Sequence, residues 1–75
     1  MPQEKDIEFL KNFGLRLKEL RSEKNISQAQ LAFEAKIETS QISRIERGLI
    51  NTTIGNAKLI SKILEVPLTS LFDFE

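Results

Sequence analysis

Three residues, Lys36-Ile37-Glu38, are all that separates two short apolar-periodic segments, and each segment carries its own start or stop signal. Upstream, Ile26-Ser27-Gln28-Ala29-Gln30-Leu31 reads as a capping box with a hydrophobic staple. Ser27 can accept from the Gln30 amide, Gln30 can reach back, and Ile26 can pack on Leu31. This predicts a two-turn helix from Gln28 to about Ala35 that buries Leu31, Ala32 and Ala35. Downstream, Ile42, Ile45 and Leu49 recur at helical spacing, and Gly48 stands where a left-handed residue stops a helix at least cost. A second short helix therefore fits Thr39 to Arg47. Two helices joined by so brief a turn have the geometry of a helix-turn-helix.

The flanks complete an all-α reading. Ile7, Leu10, Phe13, Leu17 and Leu20 mark one face of a long first helix that ends near Lys24-Asn25. Gly14 sits inside it at a cost of about 1 kcal/mol relative to Ala, which points to a close backbone approach there. After the motif, Thr53 can cap a fourth helix burying Ile54, Ala57, Ile60, Ile63 and Leu64, and Pro67 ends it by removing an amide donor. Thr69 to Phe72 forms a last turn that covers the core with Leu68, Leu71 and Phe72. Phe33 points away from the buried side of its helix and is expected to be partly covered by a neighbouring one. No segment alternates like a strand, and 75 residues make one domain, 1–75, with no linker or repeat.

Composition narrows the chemistry. The chain has no Cys and no His, which removes disulfides, thiolate nucleophiles, imidazole acid–base catalysis and most metal-ligand sets. No catalytic residues, cofactor or metal are expected, and an enzyme is the remotest of the function classes. With no long apolar run, neither a signal peptide nor a membrane span is expected, and a cytoplasmic location follows. Formal net charge is zero. The acids Glu4, Asp6, Glu8, Glu65, Asp73 and Glu75 crowd the two ends, however. The middle, with Lys11, Arg16, Lys18, Arg21, Lys24, Lys36, Arg44, Arg47, Lys58 and Lys62, is left with a basic excess.

Ser27-Gln28-Ala29-Gln30-Leu31-Ala32, Ile37 and Ser40-Gln41-Ile42-Ser43-Arg44-Ile45-Glu46-Arg47-Gly48 resemble the Cro/CI-type (XRE) helix-turn-helix family of phage repressors and bacterial regulators. Phe13-Gly14-Leu15-Arg16-Leu17 with Leu20-Arg21 looks like that family's first helix. Thr53, Leu59-Ile60 and Leu64-Glu65-Val66 with Leu71-Phe72 look like its last two. The likeness spans roughly Leu10 to Phe72, with the motif over about 27–48. It implies a compact five-helix, lambda-repressor-like DNA-binding domain. Lys36 and Glu65 depart from it, standing where the family commonly has Gly or Asn and Gly, and the loop after Gly48 lacks the family's frequent Lys or Arg.

In such a domain the second motif helix enters the major groove. Thr39, Ser40 and Arg44 match the family's base-reading positions. Arg44 has no acid one turn before or after it, so its guanidinium is free for guanine O6 and N7 or for a phosphate. Thr39 reads a base or caps the helix, Ser40 reads a base or fills the first turn, and Gln41 touches a base or a phosphate. Ser27 and Gln28, at the amide-rich start of the first motif helix, are expected on phosphate, and Ser43, Arg47 and Asn51 are weaker candidates for that role. Glu46 lies among Ile42, Leu49 and Ile50 and needs a partner. Arg21, at the margin of the first helix's apolar face, matches the family position that pairs with this Glu, and the resemblance implies a structural ion pair between them.

The resemblance implies double-stranded DNA as partner and a homodimer formed through the carboxy-terminal end, 66–75, with Leu68, Leu71, Phe72 and Phe74 at its seam. A monomer with Phe72 and Phe74 folded onto its own core is the alternative. The function implied is a sequence-specific transcriptional regulator, a repressor or operon controller on a palindromic site. A protein-interaction module or antitoxin-like adaptor that keeps the fold, with an unknown protein partner, is the second reading.

Overall fold

The computed structural model describes residues 4–74, so the extreme ends of the expected 1–75 domain lie outside the described residues. Four α-helices follow in order: α1 (Glu4–Glu23), α2 (Gln28–Ala35), α3 (Thr39–Glu46) and α4 (Ile54–Ile63). A 3-10 helix, Leu68–Phe72, closes the chain. The expected last turn is thus one residue longer and more tightly wound. There is no strand among the described residues.

Local chemistry accounts for the boundaries. Ser27 Oγ accepts from the Gln30 amide at 3.0 Å, and Thr53 Oγ1 accepts from Asn56 at 2.9 Å. Only the Ser27 half of the capping box forms, since Gln30 makes no side-chain bond back. At the other ends, all four helices stop in the same way. Asn25, Lys36, Gly48 and Glu65 adopt left-handed backbone with φ of 57°, 57°, 73° and 58°. The next amide then reaches back to a carbonyl five residues earlier: Ile26 to Arg21, Ile37 to Ala32, Leu49 to Arg44 and Val66 to Ser61, at 2.9–3.1 Å. Glu65 therefore ends α4 two residues ahead of Pro67, which had been expected to do so.

Phe13, Leu17 and Leu20 from α1 meet Leu31 and Ala32 from α2, Ile42 and Ile45 from α3, and Ala57, Ile60, Leu64 and Leu71 from the carboxy-terminal third. Each fully buried Leu or Ile contributes about 2 kcal/mol by leaving water. Arg16 Nε donates to the Ser70 carbonyl at 2.8 Å and ties α1 to the 3-10 helix.

Several expected core residues lie elsewhere. Ile54 is 81% exposed. A helical side chain leans over the turn before its own Cα, and for the first residue of α4 that turn is the loop rather than the core. Leu49 is exposed because left-handed Gly48 swings the chain off the α3 register, and Ile50 packs on the core instead. Ile7 is exposed and Ile63 only half-buried. Phe33, expected to be partly covered, is 82% exposed, since α2 packs on α3 and α4 through its other side.

The carboxy-terminal seam also needs correction. Leu71 has 0% of its surface exposed and offers nothing to a second copy. Leu68 is half-buried against the core, and Phe74 packs on Phe9 with ring centroids 5.4 Å apart. Phe72 keeps 43% of its surface while resting on Phe13 at 5.2 Å. Beside it, Phe9, Leu10, Ile50, Ile54 and Ala57 line an apolar hollow of about 180 Å³.

Candidate nucleic-acid interface

α3 packs on α1 and α2 through Ile42, Ile45 and Glu46, which are buried. Its other side carries Thr39, Ser40, Arg44 and Arg47 exposed, with Gln41 and Ser43 half-exposed. A helix buried on one stripe and polar on the rest is ordinary; here Thr39, Ser40 and Arg44 on the polar stripe stand exposed to solvent. Thr39 is the first residue of α3 and not its cap, because Glu38 occupies the cap position without a side-chain bond. Among the described residues Thr39, Ser40, Gln41 and Arg44 make no side-chain hydrogen bond or ion pair. Arg47 Nε bonds weakly to the Ser43 carbonyl at 3.4 Å. Asn51 is exposed and uses its Oδ1 on the Thr52 amide.

Two features hold this rod. At Gly14 a Cβ would land on the carbonyl oxygens of Ile45 and Glu46, so the absence of a side chain lets α1 meet the carboxyl end of α3 backbone to backbone. Beside it Glu46, 5% exposed, accepts from Arg21 Nε at 2.6 Å and Nη2 at 3.0 Å, while Arg21 Nη1 donates to the Ile26 carbonyl at 2.9 Å. The hydrogen bond to Glu46 raises the Arg21 pKa, burial lowers it by less, and the carboxylate charge raises it further. The guanidinium therefore stays charged wherever the chain is folded.

Gln28 does something its position in the sequence did not suggest. Its Nε2 donates to Glu46 Oε1 at 2.9 Å, which links the start of α2 to the end of α3. One amide hydrogen is committed inward; the second hydrogen and the side-chain carbonyl remain. The available signal was Glu46 itself: a carboxylate on an apolar face has more lone pairs than one arginine satisfies. Ser27 is exposed at the same helix start, with its hydroxyl accepting from Gln30. Among the described residues no group of three or more carboxylates could hold a metal ion, and no helix is long and apolar enough to cross a membrane.

Two short helices crossed at a three-residue turn, the second presenting an unpartnered polar stripe, define the class of helix-turn-helix DNA-binding regulators, which act by binding and not by catalysis. The particular family follows: a helix-turn-helix family (HTH_3) matches residues 17–71, and the chain belongs to it. Control protein C.BamHI of Bacillus amyloliquefaciens is 43% identical over 63 residues, covering 83% of this chain and 78% of that protein. Among solved structures, the restriction-modification controller protein C.AhdI of Aeromonas hydrophila superposes with a TM-score of 0.81 at 36% identity, over 84% of this chain and 96% of its own. SinR, a master regulator for biofilm formation solved in complex with DNA, gives 0.76 at 37% identity, over 81% and 98%.

Proposed function

We propose that the protein is a cytoplasmic, sequence-specific operon controller that occupies a palindromic operator as a homodimer, with α3 in the major groove. The observation that carries this reading is Arg44: exposed, unpaired, and on the side of α3 opposite the buried Ile42, Ile45 and Glu46. Its planar fork matches guanine O6 and N7. Thr39, Ser40 and Gln41, nearer the amino end of α3, contact adjacent base edges. Ser27 and the free half of the Gln28 amide take a phosphate at the start of α2, with Ser43, Arg47 and Asn51 on neighbouring phosphates. Control by occupancy needs no cofactor, and the likeness to control and controller proteins supports a regulatory target.

The dimer contact is assigned to Phe72 and the hollow beside it, with Leu68 and Phe74 supporting from partial burial. Exposed Phe9 and Ile54 at its rim extend the apolar surface. Two-fold pairing would set the recognition helices about 34–36 Å apart, one helical turn of duplex. Selection of bound duplexes from a random pool tests the whole reading, because a recovered palindrome reports specificity, symmetry and spacing together. A pool with no enriched sequence refutes it.

A protein-adaptor function is the second reading, favoured by Phe33 standing 82% exposed on α2. Duplex binding at two salt concentrations separates the two: a DNA reader loses affinity steeply with salt, and an adaptor binds weakly at both.

A further inference from the structure

Gly48 is tight for a reason beyond its left-handed backbone. A Cβ there would come within 2.7 Å of Lys11 Cα, 2.8 Å of Lys11 N and 2.7 Å of Lys11 Cγ. The α1 backbone therefore runs directly against the residue that ends the recognition-helix segment, and the Lys11 stem leaves α1 across Gly48. Lys11 is exposed and makes no hydrogen bond or ion pair among the described residues. A lysine whose stem lies on the protein carries its ammonium outward into water.

The chain beyond α3 gives this placement its meaning. From Gly48 to Ala57 no residue is charged, so past Arg47 the polypeptide itself brings no cation to the interface. The carboxyl end of a helix also carries the negative end of its dipole, which repels a phosphate unless a cation stands nearby. Lys11 comes from a different helix, at a separation in sequence that no motif spacing reveals.

We propose that Lys11 is a DNA-backbone contact that holds a phosphate beside the carboxyl end of α3, in the stretch where the loop after Gly48 has no charge to offer. The assignment rests on the duplex-binding reading above. It adds an anchor from α1 to those at the start of α2, so that the recognition helix is flanked by phosphate contacts at both ends.

The test is a salt titration of duplex binding by the full chain, read by fluorescence anisotropy on the selected operator and on a random duplex. Lys11→Met keeps the stem over Gly48 and removes only the ammonium. One lysine is lost from each protomer, so on the dimer the slope of log affinity against log salt should fall by about two, and affinity at 0.1 M salt should drop roughly a hundredfold on both duplexes, leaving their ratio unchanged. Lys11→Arg should restore the slope, and Lys62→Met should leave it at the wild-type value. An unchanged slope for Lys11→Met overturns the assignment, whether or not its melting temperature falls, and a lower melting temperature would identify the lysine as a helix-dipole partner only. Failure of the wild-type chain to bind either duplex overturns the duplex-binding reading itself, and the Lys11 assignment with it.

Discussion

The Gly14 Cα lies against the main-chain carbonyl of Glu46 with no room for a side chain between them. Neither partner can yield, because both are helix backbone. Gly14→Ala would gain up to about 1 kcal/mol of helix propensity and lose more to overpacking, for a net destabilisation of about 2 kcal/mol. Gly55 is the internal control, with only Thr53 Oγ1 near its virtual Cβ, at 3.8 Å. Gly55→Ala should be neutral or stabilising by about 0.5 kcal/mol. Urea midpoints of the two variants check the contrast, and equal effects would remove the close approach from the account.

Glu46→Ala leaves the Arg21 guanidinium and the Gln28 amide without their acceptor. Loss of one partner from a buried pair costs about 3–5 kcal/mol, so this variant should be largely unfolded at modest urea concentration. Glu46→Gln keeps a neutral acceptor and should lower the melting temperature by less. The sign of the pH dependence on the arginine side is fixed. A group whose pKa rises on folding contributes fully below its unfolded value and loses that contribution only as pH climbs past the folded one. Since Arg21 is raised, alkaline unfolding should begin with other groups. A double-mutant cycle with Arg21→Met measures the coupling.

Lys36 and Glu65 hold left-handed backbone that glycine adopts freely, at φ of 57° and 58°. Replacing either by Gly relieves a strain of about 1 kcal/mol, partly offset by the added freedom of the unfolded chain. Each should raise the melting temperature by a few degrees, and the two should add because they cap different helices. Gly48→Ala runs the other way, since the backbone strain and the contact with Lys11 act together.

Arg44→Ala should relax preference at one base position, at about 1–3 kcal/mol of discrimination, with no change in melting temperature. Gln28→Ala should weaken specific and random duplexes alike. It should also destabilise the fold by about 1 kcal/mol, because Glu46 loses a donor. A Gln28 variant of full stability would mean that its bond to Glu46 contributes nothing.

Periodicity and punctuation made the skeleton legible. The bounds of α2 and the start of α3 follow from Ser27, Leu31, Ala35 and the brief turn, and Gly14 announced a close approach. Apolar character alone misplaced Phe33, Ile54 and Leu49, because it does not say which face a neighbour will cover or where a left-handed residue rotates the register. The left-handed backbone of Lys36 and Glu65 was not legible in residue type, since neither is Gly or Asn, although the family resemblance placed both at turn positions. At the site, a carboxylate on an apolar face demanded a cation, and the family resemblance together with Arg21's place at the margin of α1's apolar face singled out Arg21 for Glu46. The Gln28 bond to that carboxylate and the Lys11 crossing of Gly48 are products of packing, which no local pattern encodes.

The side chains assigned to reading sequence carry none of the weight of the fold. Thr39, Ser40 and Arg44 are exposed and bonded to nothing in the chain, whereas the rod beneath them is clamped by Gly14, Arg21 and Gln28. On the proposed duplex-reading role, substitution at these positions changes the sequence recognised and leaves the fold undisturbed. Such a scaffold can diverge into regulators of unrelated operators one surface residue at a time, with every intermediate still folded.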